Sequence, residues 1–254
     1  MEEETAGVAD YGNWVSTRII LLPLAIGLAF AALSLVEPLL LILSALFLLV
    51  SAYFAYAHYL FSPRGKDVQR QVRQLVLDKL AWDGKGQALD IGCGNGALVI
   101  ALARSHPASR IVGIDYWGEG WEYSKRSCER NAEAENVSKS TSFLKASASS
   151  LPFPDESFDA VVSNLTFHEV RDASDKRKVV MEALRVLRKG GSFCFQDLFE
   201  MERVYGDIED LLATIESAGI EKVDFVRTSD ARFIPLALKL PFMVGTMGII
   251  SGVK

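Results

Sequence analysis

Leu89-Asp90-Ile91-Gly92-Cys93-Gly94-Asn95-Gly96 is the stretch whose reading decides the fold of this 254-residue chain. Ala88 to Ile91 is an apolar run of strand character. Three alternate glycines then turn the chain into a helical segment, Ala97 to Arg104. A turn of this build leaves backbone N–H groups open at a helix N-terminus, and only glycine lets a ligand approach the main chain so closely. Gly92, Gly94 and Ala97 also satisfy the G-x-G-x-x-G/A dinucleotide pattern, so the turn alone leaves two nucleotide-binding readings open.

A second apolar strand, Ile111-Val112-Gly113-Ile114-Asp115, ends in a carboxylate 19 residues after Gly96. An acid there can accept both hydroxyls of a ribose. This supports a nucleoside site without choosing its type.

Further along the chain stand Leu151-Pro152-Phe153-Pro154-Asp155-Glu156-Ser157-Phe158-Asp159 and Ala183-Leu184-Arg185-Val186-Leu187-Arg188-Lys189-Gly190-Gly191, each leading into an apolar run. With Asp-x-Gly-x-Gly-x-Gly before them, these motifs resemble class I S-adenosylmethionine-dependent methyltransferases of the type 11-like kind, over residues 68 to 254. The resemblance implies S-adenosyl-L-methionine as cofactor. It places Asp90 near the cofactor's methionine end, where a pyrophosphate would be repelled. It also implies that Gly92, Gly94, Gly96, Asp115 and Asn164 converge beyond the strand ends, with Tyr116 or Trp117 stacking on the adenine. The chain departs from the pattern at Ala146-Ser147-Ala148, where the family often carries Gly-Asp-Ala. Ser147 then replaces a carboxylate as the adenine contact, with a weaker hydrogen bond.

The N-terminal third is of another kind. Ile19 to Val36 and Leu39 to Leu60 carry no Asp, Glu, Lys or Arg, and Glu37-Pro38 divides them. At ~1.5 Å per residue the two runs measure about 27 and 33 Å, close to the ~30 Å core of a bilayer. A transmembrane helical hairpin over 19–62 is the expectation, after a tail (1–18) and before a methyltransferase domain (63–254). The short turn leaves a re-entrant hairpin as the alternative topology. Arg64, Lys66, Arg70 and Arg73 follow the second run, and the turn has no basic residue, which predicts a catalytic domain on the cytoplasmic side.

Beyond residue 60 the charges nearly balance, with no basic run, so nucleic acid is not an expected partner. Three isolated cysteines and the lack of a Cys/His cluster give no metal site. Alternating strand and helix patterns predict an α/β fold: a Rossmann-like, seven-stranded, mostly parallel sheet with helices on both faces. The resemblance makes the last strand antiparallel. Strands are expected near 88–91, 111–115, 141–145, 159–163, 192–196, 222–228 and 246–252. Helices are expected near 97–105, 119–132, 173–188 and 207–218.

Methyl transfer needs a base only where the acceptor must lose a proton. His168, Glu169 and Asp197 are the candidates by position. The reading is a membrane-anchored methyltransferase acting on an apolar or lipid-like small molecule, such as a quinone, prenyl lipid or lipid headgroup. A nicotinamide-dependent oxidoreductase and a catalytically silent methyltransferase-like binding protein are the alternatives. Oligomeric state is not readable. The apolar segment Ala231 to Val244 fits either a core cover or a bilayer contact.

Overall fold

The computed structural model describes residues 7–118 and 123–254. They divide into two compact units: residues 7–12, 73–234 and 239–254 in one, Asn13–Val72 and Pro235–Leu238 in the other. Residues 7–12 of the N-terminal tail group with the larger unit, and Pro235–Leu238 groups with the helical one.

The larger unit is built on seven strands: β1 (Gln87–Ile91), β2 (Arg110–Asp115), β3 (Thr141–Lys145), β4 (Phe158–Asn164), β5 (Leu187–Asp197), β6 (Lys222–Arg227) and β7 (Gly248–Val253). They lie in the order β3-β2-β1-β4-β5-β7-β6. All pairs are parallel except those of β7, which runs antiparallel to both β5 and β6. The order reverses between β1 and β4, the place where open α/β sheets bind ligands beyond their strand ends.

Strand periodicity sorts the side chains onto two faces. Leu89, Ile91, Val161, Phe193 and Phe195 join one buried cluster, with helix α6 (Lys176–Arg185) and helix α8 (Ile208–Ser217). Ala88, Val162 and Cys194 join the other, with α4 (Ala97–Ser105) and α5 (Lys125–Ala134). Asp90 alternates with Leu89 and Ile91, so it points to the α4 side, where it is buried. Helix α3 (Val68–Lys79) contributes Val76 to this second cluster. The short α7 (Glu202–Tyr205) was not foreseen. Part of the segment expected as a helix over 119–132 lies outside the described residues.

The smaller unit is an antiparallel pair, α1 (Thr17–Leu33) and α2 (Leu40–Phe61). Ser44 Oγ donates to the Gly27 carbonyl and Ser51 Oγ to the Ile20 carbonyl, both at 2.9 Å. A Cβ on Gly27 would lie 2.9 Å from the Leu48 side chain, so glycine sets the close approach of the helices. Among the described residues, α2 is long and apolar enough to cross a membrane, while α1 is apolar but shorter, at 17 residues.

Candidate functional site

The site grows from the end of β1. Gly92, Gly94 and Gly96 adopt left-handed φ values of 77°, 56° and 83°. They serve different ends. A Cβ at Gly92 would collide with Thr166, because the loop after β4 packs on it. At Gly94 such a Cβ would meet the Tyr123 ring at 3.7 Å, an ordinary contact distance. Gly92 and Cys93 N–H groups donate to the Ile114 carbonyl at 2.8 and 2.9 Å, clamping the turn to β2. Gly96 caps α4 without a side-chain hydrogen bond.

Asp115, at the end of β2, accepts from the Gly94 N–H at 2.9 Å and the Trp117 N–H at 2.8 Å. Burial raises its pKa, and these backbone donors oppose the rise. Asp90 differs in a telling way. It is fully buried, and its Oδ1 has no hydrogen-bond partner among the described residues. Burial first, and the Asp115 charge second, push its pKa up to about 8. A buried carboxylate that lacks a partner is costly unless a cation completes it. Asn164, at the end of the neighbouring β4, also has an unpartnered buried oxygen, Oδ1.

Residues not foreseen complete this side. Asn131 on α5 donates to the Asn95 carbonyl at 3.0 Å and the Asp10 carbonyl at 2.7 Å, and it accepts from the Asp10 N–H. The segment before the hairpin is thereby pinned beside the glycine turn. Trp117 Nε1 donates to the Gly94 carbonyl at 2.9 Å, so it packs under the turn. Tyr116 is exposed, with the Lys145 ammonium 5.3 Å from its ring centroid. Ser147 is tied to a carboxylate from elsewhere: its hydroxyl and that of Ser149 both donate to Asp172, at 2.9 and 2.6 Å. The Ser149 bond comes first among the causes holding the Asp172 carboxyl below the usual range. Asp172 lies 25 residues beyond Ser147, so no local motif announces it.

His168, Glu169 and Asp197 do meet. Asp197 is fully buried and accepts four hydrogen bonds: Thr166 N–H, Phe167 N–H, Leu198 N–H and His168 Nδ1, the last at 2.6 Å. Those bonds hold a strained turn in which Leu165 has φ 56°. His168 Nε2 lies 3.4 Å from Glu169. Burial works against the imidazolium, but the hydrogen bonds to Asp197 and Glu169 outweigh it and raise the pKa to about 10. The three residues expected as candidate bases thus form one hydrogen-bonded group. Near neutral pH His168 already carries its proton, and the oxygens of Asp197 are occupied. Glu169 is half exposed and held ionised by His168.

Comparison with known proteins bears on this arrangement. A family model for a methyltransferase domain matches residues 89–195. The chain is 30% identical over 155 residues to the O-methyltransferase rstn1 of Aspergillus nomiae, covering 59% of this chain and 65% of that protein. It is 32% identical over 125 residues to the ubiquinone/menaquinone biosynthesis C-methyltransferase UbiE of Geobacter sulfurreducens, covering 49% and 46%. The chain thus spans less than two thirds of these relatives' length. Among solved structures, geranyl diphosphate methyltransferase in complex with S-adenosylmethionine shares the fold at TM-score 0.56 and 12% identity, covering 74% of this chain and 86% of that one. The [4+2]-cyclase SpnF shares it at TM-score 0.55 and 22% identity, covering 74% and 81%. Residues 89–195, carrying this glycine turn on this sheet, form a methyltransferase domain of the class I, S-adenosylmethionine-dependent kind.

Proposed function

We propose that the whole protein is a membrane-anchored methyltransferase, moving a methyl group from S-adenosylmethionine to an apolar or lipid-like small molecule on the cytoplasmic side of the membrane. The cofactor fits the residues present. The orphaned oxygens of Asp90 and Asn164 suit its ammonium group, the left-handed glycine turn suits close approach to the main chain, and Asp115 suits its ribose. Ser147 with Asp172, and Tyr116, are the remaining candidates for contact with the adenine. When bound, the cofactor supplies a methyl carbon already activated by a sulfonium. The protein's task is alignment in a dry cleft.

In this reading His168 and Asp197 are positioning residues that fix the loop after β4. Glu169, exposed and ionised, is the member of the trio left to accept a proton from a hydroxyl acceptor. An acceptor that has already lost its proton needs no such help.

The observation that carries the membrane reading is the inverted burial of the hairpin. Between Arg18 and Tyr53 the buried residues are Gly27, Ser44 and Ser51, while Leu22, Leu28, Leu41, Ile42, Leu46 and Leu49 face outward; Ala57, Leu60 and Phe61 are buried at the far end of α2. Small and hydroxyl-bearing residues inside with leucines outside is the arrangement lipid favours and water does not. The relatives' names, which include quinone biosynthesis and geranyl diphosphate, are compatible with an apolar acceptor. A shared fold does not choose a substrate, as the cyclase shows.

The test is methyl transfer from labelled S-adenosylmethionine into a lipid extract by the membrane-bound protein, followed by mass spectrometry. Label in the lipid fraction is expected, and its loss in Asp115→Ala. That variant should weaken cofactor binding by ~1.5–3 kcal/mol, measured by calorimetry, because a charge-assisted hydrogen bond is removed. Label confined to protein or water-soluble products would overturn the acceptor class.

A further inference from the structure

We infer that Pro235–Leu238 forms a second contact with the lipid bilayer, with Leu236 seated at the acyl boundary beside the anchor. The inference rests on the membrane reading of the hairpin and goes beyond it: a loop of the methyltransferase polypeptide, not only its anchor, enters the membrane surface.

The argument starts from helix register. Ser51 pairs with Ile20 and Ser44 with Gly27 across the antiparallel hairpin. The same register sets Tyr53 level with Arg18. Arg18 is the last charge before the apolar run Ile19–Val36, and tyrosine is a residue of membrane interfaces. From that level to the Glu37 turn the helix covers ~27 Å, close to the ~30 Å of a hydrocarbon core. Arg18 and Tyr53 therefore mark the boundary between headgroups and acyl chains.

Tyr53 Oη donates to the Ala237 carbonyl at 3.0 Å. That bond fixes the 235–238 turn at the same boundary, within the same compact unit. The turn suits the place. Pro235 has no N–H to leave unpaired, and its carbonyl accepts from Leu238 N–H at 2.9 Å. Leu238 is fully buried, while Leu236 on the same turn is 84% exposed. A single exposed leucine is ordinary on a wet surface. Here it stands beside a lipid-facing helix at the depth where an apolar side chain is favoured. In the chain Pro235–Leu238 lies between β6 and β7.

The test uses the full chain in vesicles of phosphatidylcholine and phosphatidylglycerol. Its native cysteines, Cys93, Cys128 and Cys194, are buried, so introduced ones can be labelled selectively. An environment-sensitive fluorophore is placed at Leu236→Cys, at Leu46→Cys on the outer face of α2, and at Val8→Cys in the tail. Spin-labelled lipids with nitroxides at shallow and deep positions serve as quenchers. The expected result is blue-shifted emission at 236 with strongest quenching by the shallow label, deep quenching at 46, and unquenched, water-like emission at 8. Water-like emission at 236 with deep quenching at 46 would overturn the loop contact and leave the anchored hairpin standing. Water-like emission at both would overturn the hairpin reading and this inference with it.

Discussion

The sheet unit and the hairpin solve opposite problems with similar residues. In the sheet unit leucines, valines and phenylalanines point inward, and a carboxylate such as Asp90 inside that core is an exception. In the hairpin, between Arg18 and Tyr53, two serines and a glycine are inside and most leucines outside. Both are rich in apolar residues, and the charge-free runs of the hairpin do not by themselves say which solvent it faces. The direction of burial does, because it reports the solvent each was built against. The proposed function divides along the same line: polar groups concentrated at strand ends for the cofactor, and apolar surface spread along helices for the proposed membrane contact.

The largest effect should come from placing charge on the outer face of the hairpin. Leu46 and Leu49 are 54% and 69% exposed. On a water-facing surface, Leu46→Arg with Leu49→Arg would be nearly neutral. In hydrocarbon each should cost ~2.5–3.5 kcal/mol, enough to remove the protein from the membrane fraction after an alkaline wash. Leu144→Lys, at an exposed position on β3, should leave stability within about 0.5 kcal/mol. A double arginine variant that stays in the membrane fraction would break the comparison.

On the other side of the comparison stands Asp90. Its pKa is raised to about 8, by burial first and by Asp115 second. The folded, ligand-free protein therefore favours the protonated acid, and the stability this group contributes is lost as pH rises from about 4 to about 8. A cationic ligand needs the ionised form. Cofactor affinity should climb towards tenfold per pH unit below about 8 and level off above it. Asp90→Asn should bind weakly with a flat profile. Calorimetry across this range checks it, and a flat profile in the unmodified protein would remove Asp90 from the site.

His168 should give a smaller change. A base whose pKa is raised to about 10 contributes stability that is fully present below about 6.5 and is lost as pH rises through about 10. His168→Gln should lower stability by ~1.5–3 kcal/mol near neutral pH, the usual size for a hydrogen bond to a charged group. The difference should fade above about pH 10. Thermal melts at several pH values test this. Turnover should show no limb near the ordinary imidazole pKa, because His168 is already protonated there.

Much of the sheet unit was legible because periodicity and punctuation agree. Every expected strand lies within a few residues of an observed one except at β5, which begins at Leu187. There the sequence reads as helix end and Gly190-Gly191 turn, but the chain already pairs Leu187 with Phe158 before a register shift. The glycine turn and Asp115 were legible for the same reason: their residue types are demanded by backbone geometry. Asn131, Thr166 and Asp172 were not, because each meets its partner across distant elements. The bond between His168 and Asp197 was hidden for the same reason, because the two lie 29 residues apart. In the hairpin, length and apolarity were visible, but the direction of burial needed coordinates.

The smallest and most direct comparison is a matched serine deletion. Ser163 Oγ donates to the Ile91 carbonyl at 2.9 Å inside the sheet, and Ser44 Oγ donates to the Gly27 carbonyl at the same distance inside the hairpin. On unfolding in water, Ser163 exchanges its partner for solvent, so Ser163→Ala should cost ~0.5–1.5 kcal/mol. Helices that part within lipid meet no water, which alone would make the Ser44 bond worth more. A lone serine, however, can turn its hydroxyl onto a carbonyl of its own helix, one turn back. That alternative brings the expected cost of Ser44→Ala, and likewise of Ser51→Ala, down to ~0.6 kcal/mol. The hairpin should therefore survive loss of both hydroxyls, held by the close fit of Gly27 against Leu48, whereas Gly27→Val should force the helices apart. Distance measurements between spin labels on α1 and α2 in vesicles check both outcomes. Helices that separate in the double serine variant would show that the buried hydroxyls, rather than small-residue packing, hold this region together.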